Sequence, residues 1–427
     1  MASDDDGTMF RAGGSSSSLK LTAGKCSVRA HSHRPPAQAL PFTPPNAIKV
    51  PSPGWKKQDL MQEISRTLKS VSSNLLERFV DTAYRFSEQH SLNEKIQGSG
   101  DLVIMGTNSE KPHYVLGVVS ADGERLLHKV DLKFEEGKFI NDIRVTTRYN
   151  IIMDYPLRFG ISRTLLQKPF IENDMNGKSR IGVMPLFGDA DSIIWFDVEN
   201  HCSYHLFNCF EDENEVVVRG CRILGSIIPS DRYRADKSKW YGRAFLQPDK
   251  DSEDFDPSLD GILFSRPYEW RLNLESGTTN EGYITSEKVA MDFPVINDKF
   301  IGIRNKYGYA QVVDSLATSK TGLFKFKMIA KLHFDMPDKE NKQFISVQYH
   351  DLKEKQFCSG VQFVARESGI DEDDGWVVTY VHEEGTNISQ VYIIDAKRFS
   401  EEPVAKITLP KRVPYGFHGN FFYKYCK

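Results

Sequence analysis

The chain has 427 residues, 55 basic and 58 acidic side chains, and a net charge of −3. Near-balanced charge argues against a nucleic-acid binder driven by a basic surface. No apolar run approaches the ~20 residues of a helical membrane span, and 40% apolar content rich in Val, Ile and aromatic residues suits strands better than a helical bundle.

Residues 1–56 contain the Ser run Ser15–Ser18 and many prolines from Pro35 to Pro53. After Asp6 no acidic residue appears until Asp59, while Arg11, Lys20, Lys25, Arg29 and Arg34 are basic. Ser-rich, basic and acid-poor composition predicts either an organelle transit peptide or a disordered tail. The first reading places the protein in the chloroplast, the second in the cytoplasm. Across 57–97 the pattern changes. Leu60, Ile64, Leu68, Val71, Leu75 and Phe79 recur at helical spacing, which predicts an amphipathic helical extension. Such a face either packs on its own domain or docks peripherally on a membrane or partner.

From about Gly98 the chain reads as short strands separated by turns. Tyr114–Ser120 and Arg125–Phe134 flank Asp122-Gly123, a strong hairpin signal. Glu215–Arg219, Trp376–His382, Gln390–Asp395 and Val404–Leu409 are further predicted strands. This pattern favours a sandwich, barrel or propeller. The cysteines Cys26, Cys202, Cys209, Cys221, Cys358 and Cys426 form no C-x-x-C pair. They read as small buried hydrophobes of a reducing compartment.

His205 lies in an apolar strand-like run that starts at Cys202, with His201 four residues before it on the same face. His418 sits between Gly416 and Gly419, which let the backbone turn sharply. Each is either a hydrogen-bonded core histidine or a metal ligand. Glu372-Asp373-Asp374-Gly375 is either a cation-binding turn or a solvated one. No nucleophile elbow, P-loop or H-E-x-x-H motif appears.

Several longer segments together resemble plant carotenoid cleavage dioxygenases, nearest to the zaxinone-synthase-like branch. They are Arg180–Phe196, Tyr268–Asn273, Met291–Asn297, Glu372–Trp376 and Glu402 through Gly419. The resemblance runs from about Gly98 to Phe421. It implies an all-β, seven-bladed β-propeller over 98–427, here missing its first blades. It also implies a non-haem Fe(II) held by four histidines on the propeller axis. The implied reaction splits a double bond of a carotenoid or apocarotenoid with O2, giving two carbonyl products. The resemblance implies His205 and His418 as iron ligands, with Asp292 orienting a ligand from behind. It places Asn141 where the second of the four histidines is expected, and Gly360 where an outer carboxylate is expected. The first ligand belongs to a segment that is missing between Ile96 and Gly98. His113 and His128 could in principle substitute as ligands, but both lie on the matching strands away from the ligand position that the resemblance implies. The departures leave open a catalytically impaired isoprenoid-binding or partner-binding relic, or the product of an incomplete gene model.

Overall fold

The computed structural model describes residues 92–107, 111–159, 171–174, 177–223, 243–245, 249, 251–256, 260–286, 289–321 and 324–422. The chain divides into two compact units, Met1–Val71 and Ser72–Lys427, and every described residue belongs to the second. The tail over 1–56 and the helical pattern from Leu60 to Phe79 lie outside the described residues.

The described residues form antiparallel, four-stranded meanders in chain order. The first comprises β1 (Leu92–Lys95), β2 (Leu102–Thr107), β3 (Tyr114–Val119) and β4 (Leu126–Asp131). The second comprises β5 (Arg144–Val145), β6 (Tyr149–Asp154), β9 (Ser179–Pro185) and β10 (Ile194–Val198). A two-stranded ribbon, β7 (Leu157–Phe159) with β8 (Ile171–Asn173), is inserted between β6 and β9. The third runs through β11 (Cys202–Asp212), β12 (Glu215–Ile223), β13 (Ser265–Asn273) and β14 (Thr279–Tyr283). The fourth is β15 (Met291–Val295), β16 (Tyr307–Val313), β17 (Phe326–Pro337) and β18 (Ile345–Asp351). The fifth is β19 (Gln356–Ala365), β20 (Gly375–Glu383), β21 (Ile388–Asp395) and β22 (Ala405–Thr408). One ladder pair, Phe326 with Cys358, joins the fourth and fifth into a single sheet.

These are propeller blades. The first strand of each touches the first strand of the next, in the order β1, β5, β11, β15, β19. Four apolar clusters fill the seams between consecutive blades. Val103, Leu116 and Val118 meet Val145, Ile152 and Met184 in the first seam. Ile151, Ile181 and Phe196 meet Cys209, Val218 and Trp270 in the second. Phe207 and Cys221 meet Met291, Ala310 and Leu332 in the third. Tyr309, Phe326 and Ile329 meet Cys358, Val377 and Ile394 in the fourth. Each sheet is thus covered on a face by its neighbour, which is how a propeller buries two-sided sheets.

Local chemistry agrees with the sequence reading over most strands. β3 alternates buried and half-buried side chains along its whole length. At the β3–β4 turn Gly123 takes φ +76°, and its N–H donates to Ser120 O at 2.7 Å. Asp122 Oδ1 accepts from Ser120 Oγ and from the Glu124 N–H, closing the turn. The helical extension, however, does not run to residue 97. Leu92–Lys95 is a strand, paired with Leu102–Met105 across a turn that contains Gly98 and Gly100. It supplies the inner edge of the first blade, and hydrogen bonding to β2 outweighs its weak strand propensity.

Candidate active site

The inner strands β11 and β15, the segment before β5 and the C-terminal segment bring His205, Asp292, Asn141 and His418 together. On β11 the ladder to β12 slips between Ser203 and Leu206 and again between Leu206 and Asn208. This bulge leaves Tyr204 and His205 without ladder partners and re-aims the histidine. The Leu206 peptide is clamped on both sides. Its N–H donates to Asp142 Oδ2 at 2.8 Å, and its carbonyl accepts from Arg144 at 2.5 Å. Arg144 also donates to Asp142 at 2.6 Å and to Glu94 of β1 at 2.7 Å. Burial pushes the Glu94 carboxyl up to about 7, against the pull of the Arg144 cation. Three successive blades therefore meet at one guanidinium.

His205 Nδ1 lies 2.8 Å from Asp292 Oδ1 on β15. The same oxygen accepts the Phe293 N–H at 2.7 Å. Only the protonated Nδ1 can donate to a carboxylate, so in the neutral ring this contact leaves Nε2 as the acceptor. Phe293 sits at φ +57°, and its ring lies 4.5 Å from that of His205. Phe417 stacks on Phe293 at 5.1 Å.

His418 approaches from the C-terminal segment, its ring 4.8 Å from that of His205. Gln311 Nε2 on β16 anchors this segment by donating to Phe417 O at 2.9 Å. Gly360 on β19 packs against the backbone of His418 and Gly419. His418 is exposed, whereas Asp292 is buried. Asn141 lies on the segment before β5. Its Nδ2 donates to Tyr204 O at 3.0 Å and stands 3.4 Å from His205 Nε2.

The remaining sequence candidates lie elsewhere or have structural roles. His201 is buried with its ring stacked on Trp270 at 5.0 Å, and Nδ1 bonds Glu199 O at 2.7 Å. Burial lowers its pKa to about 3. His128 is on the outer strand β4, bonded through Nε2 to Gly188 O at 2.8 Å, and His113 is buried just before β3. In the acidic turn Glu372 and Asp373 are buried rather than solvated. Glu372 accepts the N–H groups of Lys306 and Tyr307, Asp373 pairs with buried Lys331 at 2.8 Å, and Asp374 caps Ile370 and Asp371. Cys202, Cys209, Cys221 and Cys358 are free and buried.

Two imidazoles, one braced by a carboxylate, suit a metal such as iron. The third position holds an amide whose NH2 group, not its oxygen, faces the centre. Among the described residues no group of three or more His, Cys, Asp or Glu is placed to hold a metal ion. The described residues therefore bring the two histidines His205 and His418 together and do not build a metal centre alone.

Residues 80–423 match the family model described as retinal pigment epithelial membrane protein. The chain is 31% identical over 351 residues to carotenoid 9,10(9',10')-cleavage dioxygenase 1 of Arabidopsis thaliana, covering 80% of this chain and 59% of that one. It is 27% identical over 317 residues to zeaxanthin 7,8(7',8')-cleavage dioxygenase of Crocus sativus, covering 73% and 76%. Among solved structures, the lignostilbene dioxygenase of Pseudomonas brassicacearum aligns with a TM-score of 0.62 at 19% identity, covering 77% and 64%. A cobalt-substituted Synechocystis apocarotenoid oxygenase aligns at 0.59 and 17%, covering 78% and 64%. These structures share the fold, and the chain spans under two thirds of their length. With the blades, the His205–Asp292 pair and a model match over most of its length, the chain belongs to the retinal pigment epithelial membrane protein family, the family of the plant carotenoid cleavage dioxygenases.

Proposed function

We propose that the chain serves the O2-dependent oxidative cleavage of a double bond in a carotenoid or apocarotenoid, giving two carbonyl products, with Fe(II) as the metal. The observation that carries this reading is His205, braced by Asp292 and facing His418 where the inner strands converge. His205 and His418 would hold the iron, whose part is to activate dioxygen. Asp292 fixes the ring so that Nε2 is presented. Phe293 and Phe417 offer stacked aromatic faces against which a polyene can lie. The names of the plant relatives support a carotenoid substrate.

A second reading is a protein that binds an isoprenoid or a partner without cleaving it. The Asn141 amide against His205 favours it. One experiment separates the two. The full chain is reconstituted anaerobically with Fe(II), mixed with an apocarotenoid, and exposed to O2. Iron-dependent carbonyl products that vanish in His205→Ala support the first reading. A shifted polyene absorbance without products supports the second, and neither signal sinks both.

The acid-poor leader over 1–56, and relatives named as chloroplastic, support a plastid location, with the cytoplasm as the alternative. The helical spacing from Leu60 to Phe79 supports peripheral membrane association. A fluorescent fusion of residues 1–56 tests the first point: diffuse cytoplasmic signal would refute it.

A further inference from the structure

We propose that Asn141 closes the axial centre as a metal-free hydrogen-bond chain, and that a carboxylate or imidazole at this position would open it as a divalent-cation site. This rests on the second, non-cleaving reading of the same centre, and its test does not depend on turnover.

The directions of the bonds carry the argument. Tyr204 O can only accept, so the Asn141 atom 3.0 Å from it is the amide nitrogen. The side chain's orientation is thereby fixed. Its second N–H points toward His205 Nε2, 3.4 Å away. On the far side, His205 Nδ1 donates to Asp292, which also takes the Phe293 N–H. The chain Tyr204–Asn141–His205–Asp292–Phe293 is thus consistent with one neutral tautomer of His205, and each donor meets an acceptor. A cation would need the Nε2 lone pair that the amide addresses. An amide nitrogen offers no lone pair to a metal. For the amide oxygen to ligate, the group must turn over and lose its bond to Tyr204. Asn141→Asp has nearly the same size but only acceptors, and makes two imidazoles and one carboxylate, a set that suits Fe(II). Asn141→His makes three imidazoles.

The test is titration of the full chain with Co(II), which reports through calorimetry and visible absorption. Asn141→Asp and Asn141→His are expected to bind at least about tenfold more tightly than the unaltered chain, the equivalent of one lost hydrogen bond. Adding His205→Ala to either should abolish the gain. Circular dichroism and thermal melts identify folded variants, and Asn141→Asp carries the comparison if Asn141→His does not fold. A tight, His205-dependent Co(II) site in the unaltered chain overturns the proposal whatever the variants do. Folded variants with no gain overturn it as well. Iron-dependent cleavage by the unaltered chain would overturn it too, whereas polyene binding without products is read separately and can fail while this proposal stands.

Discussion

Gly360 and Gly419 meet backbone to backbone. Gly360 takes φ +69°, and a Cβ there would stand 3.3 Å from both the N and Cα of Gly419. The outer carboxylate expected at this position is therefore more than absent, because the His418 segment rests on the space beside it. Gly360→Ala should cost about 1–3 kcal/mol, from the left-handed backbone and the tight contact together. Urea denaturation measures it, and a midpoint equal to that of the parent would refute the account.

Lys331 and Asp373 form a buried pair, with the Lys331 ammonium also donating to Ala396 O at 2.8 Å. Lys331→Met leaves a carboxylate desolvated and alone, so a loss of about 3–5 kcal/mol is expected. Adding Asp373→Leu should recover much of it. A double variant as unstable as the sum of the singles would show that the two charges are not coupled.

His201 gives the protein a pH dependence of definite sign. Its pKa is lowered from 6.5 to about 3 because burial disfavours the charged ring. Between those values the unfolded chain binds a proton that the folded one does not. Its contribution to stability is therefore complete above 6.5 and falls as the pH drops toward 3, by about 1.4 kcal/mol per pH unit at most. His201→Gln removes this term. The stability difference between variant and parent should then shrink from about pH 7 to about pH 5; a constant difference would count against the assignment.

Arg144 holds three blades to one point. Arg144→Met strands Glu94 and Asp142 and frees the Leu206 carbonyl, with an expected loss of about 3–5 kcal/mol. The loosened bulge should also show in His205. In the Asn141→Asp background, Arg144→Met is expected to weaken Co(II) binding about tenfold or more. Unchanged affinity in a folded protein would mean that the clamp does not position the ring.

The strands and the Asp122-Gly123 turn were readable because alternation and turn chemistry are local. The His205–Asp292 pair was reachable only through resemblance, since 87 residues separate the partners. The Arg144 clamp left no sequence trace: its partners Glu94 and Leu206 lie 50 and 62 residues away. Leu-Asn-Glu-Lys in β1 has no strand alternation, so its place in the sheet is set by pairing alone. The acidic turn read as cation-binding or solvated because nothing local announces that Lys331 and the Lys306–Tyr307 peptides will meet it.

The lone pair between Phe326 and Cys358 has a consequence for how the molecule comes apart. Among the described residues no ladder runs from blade to blade at the other seams, so those blades can slip or separate while every sheet stays intact. The last seam cannot part without opening a ladder. Amide exchange from β15 to β22 should therefore behave as one cooperative block, leaving the first three blades free to open one by one.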